Sequence, residues 1–263
     1  MPCRYWKTAI WDAAVYSRLS IHVSRWIRLL LPISYFSLHT SELTHSHIHK
    51  FTSSALENLF TTLLGLMGTF AFAISGIRLA SGKQVDWFGA YLVGLVTAIG
   101  GGTVRDVLLG VTPFWMLDSK YFITTGVALL ITILFKGRIF RWKNTLFLFD
   151  AIGLGLFTIV GISKSLEMHL PFWVCIVMGT ITGSIGGVMR DVLLNEVPLL
   201  LRKDIYALAC IAGGLVYFGC VHFNIPTNVT ELIAASVIIV VRILAMSFHI
   251  HLPILRQKAE GNR

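Results

Sequence analysis

Charge is the scarcest thing in this sequence. Charged residues make up 13% of the chain and hydrophobic residues 55%, whereas about 25% of an ordinary soluble domain is charged. Mean hydropathy is +0.74. A soluble globular chain is excluded, and the protein reads as an integral membrane protein. Cysteine is scarce as well. Cys3, Cys175, Cys210 and Cys220 show no C-x-x-C spacing, so neither a disulfide framework nor a zinc site is suggested. H-E-x-x-H, G-x-S-x-G and paired aspartates on facing spans are all missing, and no strand-turn-helix unit surrounds the glycine motifs. Enzyme and nucleotide-binding readings therefore lack support, and no cofactor is expected. Ten-residue segments of alternating polarity are missing too, which leaves helices as the spanning elements.

What is present is a series of apolar runs. About 20 apolar residues cross a hydrocarbon core about 30 Å thick. Seven runs qualify, approximately 59–79, 87–110, 121–135, 146–162, 171–194, 205–222 and 229–246. The basic residues between them set orientation. Arg78, Lys83, Lys136, Arg138, Arg141, Lys143, Arg202, Lys203, Arg256, Lys258 and Arg263 fall on one side, eleven in all, against Lys50, Lys120 and Lys164 on the other. That bias predicts an external N-terminus and a cytoplasmic C-terminus. The net charge of +9 is thereby a matter of topology, and no nucleic-acid partner is expected. Trp87, Tyr121, Trp142, Trp173 and Tyr206 fall near span ends, where interfacial aromatics belong.

Residues 1–57 fit this scheme poorly. Arg4, Lys7, Arg18, Arg25 and Arg28 stand among Trp6, Trp11 and Trp26, a pattern open to two readings: a basic interfacial segment or a dispensable extension. It is not a clean signal peptide, because its apolar patch is short and Arg28 interrupts it. His45, His47 and His49 alternate, but no fourth ligand accompanies them, so no specific metal site is expected there.

An internal repeat organises the rest. Sliding the sequence by 85 residues without a gap gives sixteen identities between Gly68 and Tyr121. Gly76 meets Gly161, Thr97 meets Thr182, Gly101-Gly102 meets Gly186-Gly187, and Arg105-Asp106-Val107-Leu108-Leu109 meets Arg190-Asp191-Val192-Leu193-Leu194. The domains expected are a first three-helix repeat, 58–142, a second, 143–226, and a seventh helix with its tail, 227–263. The fold class is thus an all-α membrane protein of seven transmembrane helices. Three is odd, so the second copy enters the membrane from the opposite side. Inverted repeats with glycine-interrupted helices in matching positions mark transporters and pores, with the pathway at the repeat interface.

Gly100, Gly101, Gly102, Gly186 and Gly187 admit two readings. They break spans two and five beside a pathway, or they let helices pack closely. Duplication in inverted positions favours the break. Arg105, Asp106, Asp150, Arg190, Asp191 and Arg242 are intramembrane charges that need partners. Adjacent residues do not face each other on a helix, so each Arg of the Arg-Asp pairs is expected to pair with another span.

The strings G-G-G-T-V-R-D-V-L-L-G, F-D-A-I-G-L-G-L-F-T-I-V-G, G-G-V-M-R-D and R-I-L-A resemble the bacterial branch of the trimeric intracellular cation channels, also catalogued as an inner-membrane family with paired glycine-transporter-type domains. The resemblance covers about residues 59–255. It implies an inner-membrane homotrimer in contact with membrane lipids, with one pore per protomer lined by kinked spans two and five and passing monovalent cations, chiefly potassium and sodium. The animal members' K-E-V-x-R phosphoinositide motif is absent; Asn195-Glu196-Val197-Pro198 is the nearest string. A secondary carrier of a small solute such as glycine is the competing class, since broken inverted repeats serve both.

Overall fold

A computed structural model describes residues 59–135, 144–201 and 205–248. The chain divides into two units, Met1–Leu56 and Glu57–Arg263, and every described residue belongs to the second. The N-terminal segment with His45, His47 and His49, the basic residues of 136–143 and the tail after 248 lie outside the described residues.

The protein is an all-helical membrane protein. Among the described residues, five helices are long and apolar enough to cross a bilayer: α1 (Leu59–Ala80), α2 (Trp87–Leu108), α4 (Thr145–Glu167), α5 (Phe172–Leu193) and α7 (Thr227–Ser247). Two shorter apolar helices complete the bundle, α3 (Lys120–Leu134) and α6 (Ala207–His222). A one-turn helix, Phe114–Leu117, and a 3₁₀ turn, Leu199–Leu201, follow α2 and α5. Helix ends match the apolar runs to within a few residues except at α4, which continues five residues past the expected end at Ile162. The polar residues there are satisfied within the helix and by its neighbours: Ser165 Oγ donates to the Gly161 carbonyl at 2.8 Å and Ser163 Oγ donates to Glu231 on α7.

Local chemistry explains the boundaries. Asp86 caps α2 by accepting from the Gly89 N–H at 2.7 Å, the usual service of an N-cap carboxylate. Pro171 and Pro226 stand immediately before α5 and α7, where a missing N–H costs nothing. α2 closes with Gly110 at φ 70°, and Val111 N–H reaches the Asp106 carbonyl at 2.9 Å. α5 closes with Asn195 at φ 54°, and Glu196 N–H reaches Asp191 at 2.8 Å. These are Schellman closures, and the left-handed residue each needs is Gly or Asn.

Packing repeats at the same 85-residue spacing. The Phe72 and Phe157 rings stack 5.4 Å apart between α1 and α4. A Cβ on Gly153 would sit 2.2 Å from the Phe72 ring, and one on Gly68 would sit 3.2 Å from the Phe157 ring. Each glycine therefore makes room for the other helix's phenylalanine. α5 packs most extensively on α4 and α2, and α7 covers α6 and α4. Ile159, Ile162, Leu154 and Ile238 fill the core, while Leu92, Leu130, Leu215 and Val240 face outward, as a lipid-facing surface requires.

Candidate functional site

α2 and α5 cross at their glycines. A Cβ on Gly101 would lie 2.0 Å from the Thr182 carbonyl oxygen, and one on Gly186 would lie 2.3 Å from that of Thr97. The contact is reciprocal, as between two halves related by a two-fold axis. Gly100 and Gly102 are similarly filled, by Met189 and by the Phe114 ring. Both helices run unbroken through these residues, so the expected break is absent. The close-packing alternative describes the geometry, because side-chain-free backbones approach without opening any hydrogen bond of the helix.

One turn beyond the crossing, each helix carries its Arg-Asp pair. Arg105 donates to its neighbour Asp106, Nε to Oδ1 at 2.8 Å and Nη2 to Oδ1 at 2.7 Å. Asp106 Oδ2 accepts the Phe114 N–H at 2.8 Å. The copy is faithful. Arg190 Nε donates to Asp191 Oδ1 at 2.8 Å, and Asp191 Oδ2 accepts the Leu199 N–H at 2.9 Å. The aspartate thus ties the post-helical turn and also anchors the arginine. Adjacent residues meet here because the long guanidinium stem folds around the last turn to a carboxylate turned toward the chain that follows; this departs from the expected cross-span pairing at Arg105, whereas Arg190 also has the expected partner on another span.

Beyond that shared unit the two ends differ. Arg190 Nη1 reaches Asp150 Oδ1 on α4 at 2.7 Å, and it also donates to Ser75 Oγ on α1. Arg242 on α7 lies over the Tyr206 ring, 4.5 Å from its centre, and donates to the Ile205 carbonyl at 3.1 Å. It approaches Asp150 at 4.0 Å. Asp150 and Arg190 are both fully buried. Two arginines and two aspartates balance, which a low-dielectric interior demands. Arg105 has no such company: among the described residues its partners are Asp106 and the ring of Phe114, 5.6 Å away.

A cavity opens at the Arg105 end. Its volume is 560 Å³, and Thr61, Gly65, Arg105, Tyr121, Lys164 and Glu167 are among its lining residues. A second cavity of 400 Å³ lies at the opposite end, lined by Arg78, Lys83, Leu146, Phe147 and Glu196 among others. Under the 85-residue shift, Leu146 and Phe147 replace Thr61 and Thr62, and Asp150 replaces Gly65. The first cavity reaches its arginine. The second stops short of Arg190, which the Asp150 cluster encloses.

The family model described as "Glycine transporter" matches twice, over residues 62–137 and 147–222. The UPF0126 inner membrane protein YadS of Escherichia coli K12 is 37% identical over 195 residues, covering 72% of this chain and 93% of its own. The trimeric intracellular cation channel orthologue from Rhodobacter sphaeroides superimposes with a TM-score of 0.68 at 31% identity, over 72% of this chain and 98% of that one. Another cation channel of that family, solved for the basis of its conductance, gives a TM-score of 0.66 at 37% identity, over 76% of this chain and 98% of that one. This chain belongs to the trimeric intracellular cation channel family. Its solved relatives in that family are channels, not enzymes.

Within this family fold, four residues do work that the sequence did not announce. Tyr206 is not an interfacial aromatic but a buried wall of the Asp150 cluster, 2% exposed. Trp87 and Trp173, 74% and 60% exposed, have the exposure of the expected belt. Ser75 and Phe114 contact the two arginines. Glu231, in the first turns of α7, is 1% exposed and accepts from Ser163 Oγ at 2.5 Å. Its signal was a lone carboxylate inside an apolar run, the kind of residue that usually has a function in a membrane.

Proposed function

We propose that the protein is a monovalent cation channel of the cell inner membrane, conducting potassium and sodium through one pore in each protomer of a homotrimer. The observation that carries this is the 560 Å³ cavity reaching an arginine at the end of a spanning helix. A water-accessible recess at that depth has no purpose in a passive scaffold, and ionisable groups inside membranes mark ion paths. Membership of the family and the likeness to its solved channels support the same reading.

In this reading α1 to α3 and α4 to α6 are inverted repeats, residues 58–142 and 143–226, and α7 is a seventh span. The reciprocal glycine contacts, the paired helix closures and the matched Asp-to-backbone bonds support it. Taking the basic loops as cytoplasmic puts the N-terminus and the Arg105 end outside. The pore follows α2 and α5, flanked by α1 and α4. Gly100, Gly101, Gly102, Gly186 and Gly187 set how close those helices stand, so they fix the width of the path. Arg105 and Asp106 form the floor of the outer vestibule; Arg190, Asp191, Asp150 and Arg242 close the inner end. The described conformation is then a closed one, opened by parting Arg190 from Asp150.

Purified protein in a planar bilayer under a potassium gradient tests the reading. Discrete unitary currents are the expected result. Flux that saturates with a small amino acid, without unitary events, would establish the carrier instead.

A further inference from the structure

At the sealed end Arg190 Nη1 donates to Asp150 Oδ1 at 2.7 Å, and the Tyr206 hydroxyl stands 3.5 Å from the same oxygen. An 85-residue shift carries Arg190, Tyr206 and Asp150 to Arg105, Tyr121 and Gly65. All three line the 560 Å³ cavity. The guanidinium and the phenol are kept, and the carboxylate is lost. Val160, which replaces the acceptor Ser75, lines the same cavity. Arg105 commits Nε and Nη2 to Asp106, and among the described residues nothing accepts from its Nη1. Arg105 is only 4% exposed, and a buried N–H left without an acceptor is unfavourable. A Cβ on Gly65 would meet nothing within 4 Å, so the place a carboxylate would fill is open.

We propose that this cavity binds a small monocarboxylate with an apolar body, its carboxylate meeting Arg105 as that of Asp150 meets Arg190. The acids already lining the cavity are committed elsewhere. Asp106 Oδ1 holds Arg105, Asp106 Oδ2 accepts the Phe114 N–H, and Glu167 pairs with Lys164 at 2.8 Å. Leu117, Phe157, Val160 and Met168 make much of the remaining wall apolar, which favours a hydrocarbon or aromatic body over a second charge that would find no partner there. The volume suits a small organic molecule, whose pockets run to about 300–1,000 Å³. Recognition rests on a directional bond to one guanidinium nitrogen and not on the net charge of the cavity. Binding of this kind needs no conduction, so it stands apart from the channel reading.

Thermal melting of the purified full-length protein, near neutral pH and at fixed ionic strength, tests the site with benzoate as the probe and benzamide as its uncharged match. Saturating benzoate should raise the wild-type midpoint by about 3 °C, and benzamide at the same concentration should leave it in place. Gly65→Asp carries the carboxylate on the chain itself, so benzoate should no longer raise its midpoint. Arg105→Gln removes the cation and should respond to neither compound. An equal rise with benzamide would overturn the proposal, as would no rise with benzoate, or a rise that survives in Gly65→Asp. Should Arg105→Gln fail to assemble, Gly65→Asp decides, since its new side chain enters space with nothing within 4 Å of a Cβ. Melting is read without current, so a protein that gives no unitary currents would end the channel reading and leave this result standing.

Discussion

The Arg105 and Arg190 ends of the bundle carry the same five-residue string, the same helix closure and the same aspartate-to-backbone bond, yet one faces a cavity and the other is sealed. Residues eighty-five apart decide this. Where the first repeat has Gly65, beside which a Cβ would meet nothing within 4 Å, the second has Asp150, hydrogen-bonded to Arg190 at 2.7 Å. Where the second has Val160, the first has Ser75, which supplies another acceptor to Arg190. A duplicated motif thus provides the frame, and on the proposed channel reading two substitutions outside the motif make one copy a floor and the other a latch.

The largest effect should come from removing the latch. Asp150→Ala strips Arg190 of its cross-helix partner and leaves Arg242 facing a cluster that is now positive. Breaking a buried ion pair by deleting one member costs about 3–5 kcal/mol. Thermal melting of the detergent-solubilised trimer should fall accordingly, and the molecules that survive should open more readily in a bilayer. Unchanged melting would show that Asp191 alone satisfies Arg190. The comparison can also be reversed. Gly65→Asp places a carboxylate in open space at the position matched to the latch, so Arg105 should gain a second partner and the vestibule should shrink. Trimer yield should hold while conductance drops severalfold; full conductance would mean that the residue at this position does not govern the path.

The crossing comes next. Gly101→Ala and Gly186→Ala each force a methyl against a carbonyl oxygen, at 2.0 and 2.3 Å, and backbone cannot move aside as a flexible side chain can. Overpacking of this kind costs about 1–3 kcal/mol. The two losses in melting stability should be alike, and Gly219→Ala, where nothing lies within 4 Å, should be neutral. Markedly unequal losses would argue against a two-fold relation between α2 and α5.

How much of this could be read beforehand follows from what a repeat search sees. Identity at a fixed offset exposes Gly101 with Gly186 and Arg105 with Arg190, so the apolar helices and the matched motif residues were legible. The same search is blind to Gly65 opposite Asp150, because the functional content there is a difference. Glycine in an apolar run fits both a broken helix and a close crossing, and nothing along one chain tells which, since the deciding atoms are the Thr97 and Thr182 carbonyls of the partner helix. Asp150 and Arg242 were visible as charges, but their company with Tyr206 and Ser75 depends on four helices converging. Glu231 escaped because it belongs to α7, outside the repeat.

The smallest effect is expected at the vestibule rim, and it separates stability from electrostatics. Lys164 and Glu167 pair at 2.8 Å with side chains 42% and 51% exposed, the situation in which an ion pair contributes about 0–1 kcal/mol. Lys164→Ala should therefore leave trimer melting almost unmoved, in contrast with Asp150→Ala at the sealed end. Conductance should change even so. Removing a positive charge leaves the vestibule lining with an excess carboxylate, so dilute-salt conductance should rise modestly and the gain should vanish in concentrated salt, where screening is short. A fall in conductance, or a loss of stability like that of the buried pair, would show that Lys164 shapes the vestibule through its contacts, and the contrast between an open, screened end and a closed, desolvated one would have to be redrawn.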